Sequence, residues 1–381
     1  MKKIGVFLIT LLLVPALMSA KAKTGKSQTS ASSASVPKIG FPFLLTSDPT
    51  MRAIVRNVKY ECEAAGCELV TESWDFTPDA LVTATQKLIN EGCDGLILAA
   101  PSISGIPALI KICTNSKVPF VIPWRHIVDP AVKKMLDECP YFVGNTQEDD
   151  EQTAYNLLKS MTQKAGVKNV AVLGLTKGDV SGDMRDHGMQ RAADEFNVKI
   201  LTETRNFSTA ADATRTVEGF VAAYPDIDGI FITGGAMTQG ILQGTVKALD
   251  MHKKQGKVKI GMIDYTSGMD EEIDKGYLYM ACGGNMVADP LFSCAMLLNT
   301  VKGAPLSDKP LWLKINFINL TSAQSSRDYF KYVEGDVPPY SSDEMKSMFF
   351  KFTNPDVTAD SFAKVVTDYS LENVMTRHAA K

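Results

Sequence analysis

The chain has 381 residues, 45% of them hydrophobic and 22% charged, with a formal charge of −3. That length allows two or three domains, each with a core of its own. The mildly acidic balance argues against nucleic acid and anionic membrane as partners. Lys2 and Lys3 precede an apolar run, Ile4 to Met18, that ends at the small residues Ser19 and Ala20. This is the pattern of a secretory signal peptide, residues 1–20. About fifteen apolar residues are short for a bilayer span. No cysteine follows the run, so a lipid anchor is not expected, and the mature protein is expected to be soluble, in the periplasm or at the cell surface. Residues 21–37, rich in Ser, Ala, Lys and Thr, read as a flexible linker.

From Lys38 short apolar runs alternate with amphipathic stretches of helical length. The runs Lys38–Leu45, Glu68–Glu72, Gly95–Ala99, Pro119–Ile122 and Tyr141–Val143 predict strands. Helices are predicted between them at Met51–Ala65, Asp79–Glu91 and Ile106–Ser116. The pattern then repeats, with helices at Gln147–Ala165, Gly182–Phe196, Ala210–Tyr224 and Met237–His252. Strands are predicted at Asn169–Leu175, Lys199–Thr204, Gly229–Thr233 and Val258–Ile263. Glycine at helix ends and unbroken apolar strands are what βαβ units around a doubly covered parallel sheet require. The expected fold is α/β, two doubly wound parallel-sheet lobes. Ligands of such sheets bind beyond the carboxyl ends of the strands. Those positions include Thr46–Met51, Ala100–Ser102, Trp124–Arg125, Thr176–Arg185, Asn206–Phe207, Gly234–Gly235, Asp264–Tyr265 and Gly283–Asn285. They offer aromatics, arginines and carboxylates, but no nucleophile paired with a base.

In that order the elements carry SDPTMRAIVRNVKYECEAAG, GCDGLILAAPS, VPFVIPWR, SGDMRDHGMQRA, YPDIDGIFITGGAMTQG and KIGMIDYT. The ordered set resembles the periplasmic solute-binding proteins of the ribose- and galactose-binding type, over Lys38 to about Leu320. The resemblance implies the type I periplasmic binding protein fold, with a hinge crossed near Asn145, near Asn285 and within LWLKINFINL. It also implies a ligand set. Asp48 stands where the family places a hydroxyl-binding Asn or Asp. Trp124 and Arg125 stand where sugar binders show Asp-Arg. Arg185 matches an arginine reaching in from the second lobe, Phe207 a ring packed on the sugar, Asp264 an aspartate accepting hydroxyl bonds, and Asn285 a polar hinge contact. Thr50 and Met51 replace a pair of stacking aromatics, which places Met51 at the ligand and argues against ribose itself. The implied lobes are 38–145 plus 286–310 and 146–285, with 311–321 as a hinge crossing and 322–381 as an extension packed on the lobes.

The expected activity is capture of a small polar ligand, sugar or sugar-like, by a monomer that delivers it to a membrane ABC permease. A ligand-sensing module for a membrane receptor or histidine kinase is the alternative. No enzyme activity, cofactor or metal is expected: nucleophile elbow, phosphate loop and metal cluster are all missing from the sequence. His126 and His187 are expected at the surface or cleft rim. Asp179, Asp183 and Asp186 fail calcium-loop spacing and read as helix caps. EDDE at 148–151 reads as an acidic first helical turn. The seven cysteines are expected mostly as free, buried thiols, with Cys62 and Cys67 the one close pair. Trp124→Ala and Arg185→Ala are each expected to abolish binding while leaving the fold intact.

Overall fold

The structure is a computed structural model that describes residues 35–43, 49–75, 77–205, 209–234 and 240–379. The segments expected as signal peptide (1–20) and most of the linker (21–37), and two expected ligand residues, Asp48 and Phe207, lie outside the described residues. Val36 onward forms one compact unit.

Its first half runs β1 (Lys38–Pro42), α1 (Pro49–Ala64), β2 (Glu68–Glu72), α2 (Pro78–Asn90), β3 (Gly95–Ile97), α3 (Ile106–Ser116), β4 (Phe120–Ile122), α4 (Pro130–Asp137) and β5 (Phe142–Glu148). Then come α5 (Asp150–Ala165), β6 (Asn169–Leu173), α6 (Val180–Phe196), β7 (Lys199–Thr204), α7 (Ala210–Ala223), β8 (Gly229–Ile232), α8 (Ile241–Met251), β9 (Lys259–Ile263), α9 (Met269–Asp274) and β10 (Leu278–Gly283). The chain ends with α10 (Asn285–Val301), β11 (Leu311–Ile315), β12 (Ile318–Leu320), α11 (Ala323–Tyr332), α12 (Ser342–Met348), α13 (Ala359–Thr367) and α14 (Leu371–Ala379).

The strands form two six-stranded sheets, ordered β2-β1-β3-β4-β5-β11 and β7-β6-β8-β9-β10-β12. Every pairing is parallel except β10 with β12. Central strands such as Phe120–Ile122 and Gly229–Ile232 are buried throughout, as a sheet covered by helices on both faces requires. The expected two doubly wound lobes are therefore present. Up to β12 the chain passes between the sheets three times: from β5 to α5, from β10 to α10, which packs on β3, β4 and β5, and from β11 to β12. Residues 311–320 supply an edge strand to each sheet as they cross.

Two local differences and one close approach bear on the site. β5 runs seven residues, to Glu148, where only three had been read as strand. Gln147 and Glu148 therefore belong to the sheet, Asp149 caps α5 by accepting from Gln152 N, and the acidic first turn starts at Asp150. The helix α4 was not read from the sequence, since its eight residues are too short to establish a period. Gly188 sets the packing of α6 on α5: a Cβ there would sit 1.9 Å from the Glu151 carbonyl oxygen. Only glycine permits that approach, and it brings Arg185 onto Asp150.

The last sixty residues are part of the core. Tyr340, Phe349, Phe350 and Phe362 are fully buried. Phe292 of α10 lies 5.7 to 6.1 Å, ring to ring, from Tyr340, Phe349, Phe362 and Tyr369. Helix α11 packs on α9, α12 on α1 and α13 on β11, so this segment makes a further passage between the sheets. All seven cysteines are free and buried. The sulfur facing Cys62 belongs to Cys294 on α10, at 3.8 Å, not to Cys67.

Candidate functional site

The carboxyl ends of β4, β5, β8 and β9, together with the amino ends of α5, α6 and α10, bring the polar residues of the core together. Pro123 ends β4, and Trp124 follows in the left-handed region at φ 56°. A non-glycine residue held there costs on the order of 1–3 kcal/mol, and such positions cluster at ligand sites. Asn145 of β5 fixes the turn by donating from Nδ2 to the carbonyls of Ile122 (2.8 Å) and Arg125 (3.0 Å). The Trp124 ring is half-buried, 5.9 Å from Phe43. Arg125 is half-exposed and donates from Nε to the Ala100 carbonyl, at the end of the neighbouring strand, at 2.9 Å.

Arg185 is buried at the start of α6. Its Nε donates to Asp150 Oδ1 at 2.6 Å, Nη1 donates to the Thr233 carbonyl at 2.8 Å, and Nη1 lies 3.7 Å from Asp264 Oδ2. Asp264 follows β9 at φ 75°, a second left-handed non-glycine residue. Asp150 also faces His126, whose Nε2 is 3.1 Å from Oδ2. The result is a chain of groups, His126–Asp150–Arg185–Asp264, joining the loop after β4 to the ends of β5 and β9. Burial pushes the Asp150 carboxyl up, but Arg185 and His126 outweigh it and hold it at about 2. Arg185 is raised further above its already high range, since Asp150 and Asp264 outweigh its burial.

Beside this chain sits a second polar group of opposite character. Asn285, at the start of α10, donates from Nδ2 to Glu148 Oε1, and Glu148 neighbours Asp289. Thr146 Oγ1 donates to the Asp289 carbonyl at 3.1 Å and contacts Ser293 Oγ at 2.6 Å. Burial and the adjacent Asp289 push Glu148 well above the carboxylate range. Burial pushes Asp289 up to about 6, against the lowering effect of the neighbouring Glu148 and Thr146.

Of the expected ligand residues, Trp124, Arg125, Arg185, Asp264 and Asn285 gather around these strand ends. Met51 is 5% exposed and packed in the core. His126 is not at the surface or rim: it is 6% exposed and faces Asp150, whereas His187 is exposed. Asp179 caps α6 by accepting from Gly182 N at 2.8 Å. The sequence reading missed His126, Asp150, Glu148 and Asp289 as members of the site. Nothing local marks them: the pairing of β5 with β4 brings His126 to Asp150, and the packing of α10 on β5 brings Asp289 to Glu148. Among the described residues, His126, Glu148 and Asp150 could together offer donor atoms to a metal ion. Arg185 already supplies the positive charge on Asp150, so the trio is explained without a metal.

The family model for the periplasmic binding protein domain matches residues 39–303, so the chain belongs to that family of binding proteins. Solved structures with the same fold include an ABC transporter periplasmic solute-binding protein from Actinobacillus succinogenes 130z with bound D-allose. It is 18% identical, with a TM-score of 0.65 over 76% of this chain and 99% of that one. A periplasmic sugar-binding protein from Pseudomonas fluorescens is 14% identical, with a TM-score of 0.72 over 89% and 99%. An ABC transporter solute-binding protein from Bacillus halodurans C-125 with bound myo-inositol is 14% identical, at 0.63 over 77% and 96%. At such identities the likeness is one of fold. No curated protein sequence matches.

Proposed function

We propose that this protein is an extracytoplasmic solute-binding protein that captures a sugar or sugar-like polyol and presents it to a membrane ABC importer. The observation that carries the reading is the cluster of Trp124, Arg125, Arg185, Asp264 and Asn285 at strand carboxyl ends, where the chain passes between two sheets. An indole face, guanidinium forks and carboxylates are what a ring bearing hydroxyls needs: apolar cover on its C–H faces, donors and acceptors around its edge. Binding proceeds by closure, because a ligand touching both lobes stabilises the state in which both contacts are made. The chain does this as a monomer and without catalysis, with residues 1–20 as its export signal. The sugar-bound relatives of the same fold support the ligand class.

The test is a thermal-shift and calorimetric screen of the mature protein against pentoses, hexoses, polyols, nucleosides and amino acids. A sugar or polyol should raise the melting temperature, by about 3 kcal/mol of stabilisation at a hundredfold excess over Kd. A response to amino acids alone, or to nothing, would remove the reading. Trp124→Ala should then abolish the shift while the unliganded protein remains folded.

A further inference from the structure

The passage that follows β12 is bonded to helices of both sheets and to two of the earlier crossings. On the second sheet's side α11 packs on α9, where Arg327 lies 3.3 Å from Asp270 and 3.7 Å from Asp274. Tyr329 of α11 is fully buried and sits edge-on against Tyr265, just past β9, with 4.6 Å between ring centres. On the first sheet's side the partner is α1. Thr50 Oγ1 donates to Glu334 Oε2 at 2.9 Å, and Arg56 Nη2 donates to the carbonyls of Glu334 (2.5 Å) and Gly335 (2.6 Å), just past α11. Ser342 N, at the start of α12, donates to Tyr60 Oη at 2.9 Å. Asn299 of α10 donates to the Phe349 carbonyl at 2.8 Å and accepts from Lys351 N at 2.7 Å.

The same segment reaches the crossings. Tyr369 Oη donates to the buried carbonyl of Gly284, between β10 and α10, at 2.9 Å. Asn316, between β11 and β12, donates from Nδ2 to the Thr367 carbonyl at the end of α13, also at 2.9 Å. Helix α14 then returns to α11, with the His378 and Tyr332 rings 5.3 Å apart. Arg377 of α14 holds the loop and helix before it, donating from Nη1 to the Pro339 carbonyl at 2.8 Å and to Glu344 Oε1 at 3.3 Å. Parting the lobes separates α1 from α9. Since α11 and the residues just after it are bonded to both, opening has to break one of these sets of contacts.

We propose that the C-terminal segment is a strap across the hinge that holds the ligand-free protein in its closed arrangement and sets how often it opens. The inference rests on the binding-protein reading above, which supplies the closure that the strap governs. It adds that closure is the resting state and the open form the minor one, through which a ligand enters.

Spin labels on Lys111→Cys of α3 and Lys247→Cys of α8 measure the lobe separation by double electron–electron resonance. Both positions are exposed, and the seven native thiols are buried. The protein is measured without any sugar, so a failed ligand screen and a failed strap are read separately. With the strap intact, one distance population is expected. Arg56→Ala should raise the share of molecules at longer distance about tenfold, and Tyr369→Phe, which keeps its ring against Phe292, about fivefold. Two populations with the strap intact, or an unchanged distance in the doubly substituted protein, overturn the proposal. A lower melting temperature with unchanged distances also overturns it, because a segment that only stabilises the fold would give that result.

Discussion

Two buried polar groups lie side by side where the chain passes between the sheets, and they solve the problem of burial in opposite ways. Around Arg185, two carboxylates share a permanent cation, and Asp150 is held ionised down to about 2. Around Asn285, Glu148 and Asp289 face each other with an amide as neighbour, and both are pushed up, Asp289 to about 6. Burial is nearly complete in both. What separates them is whether a fixed positive charge lies within about 4 Å. The first group is a charged scaffold at any ordinary pH; in the second, burial opposes ionisation.

The largest expected effect tests the charged half. Arg185→Met leaves Asp150 buried against His126 alone and should cost about 3–5 kcal/mol in chemical denaturation. That revises the expectation that Arg185→Ala would remove binding and spare the fold: the arginine's ion pairs make it structural as well. A variant as stable as the wild type would show that the cation is dispensable and the contrast between the two groups false.

The next effect tests the neutral half. Asp289 has a folded pKa raised from the usual carboxylate value to about 6, so its contribution to stability is fully present below about pH 4. It is lost as pH rises through about 6. Asp289→Asn, isosteric and uncharged, should therefore be more stable than the wild type at pH 7 by up to about 3 kcal/mol and equal to it near pH 4. Denaturant midpoints taken at half-unit steps between these limits measure the difference, and a gap of constant size would show that Asp289 is not raised.

The smallest effect lies on the acid side and has the opposite sign. Asp150 is depressed to about 2, so its stabilisation of about 2 kcal/mol is present above about pH 4 and lost as pH falls toward 2. The acid limb of a stability–pH curve should flatten in Asp150→Asn. If the limb is unchanged, the loss of stability in acid originates elsewhere.

Much of the architecture was legible because it is written in short-range signals. Glu68–Glu72, Ile106–Ser116 and Lys199–Thr204 are found with the bounds their periodicity predicts. Strand ends marked by Pro123 and by the turn after Ile263 pointed to Trp124, Arg125 and Asp264 without any tertiary information. His126 and Asp150 were illegible for the converse reason. A histidine four residues past a strand and an aspartate in a helix's first turn are ordinary local choices, and only the pairing of β4 with β5 makes them neighbours. The hydrogen bond of Thr50 to Glu334 was further out of reach, since it spans 284 residues of chain.

By itself the sequence determined the α/β alternation, the burial of the central strands and the class of residue standing at each strand end. These follow from hydrophobic period, glycine and proline, which act over a few residues. The tertiary structure alone decided which buried charges are compensated and which are not, and that the C-terminal segment packs into the core. Desolvation and Coulomb interaction depend on distances of a few ångströms between residues that the chain places far apart.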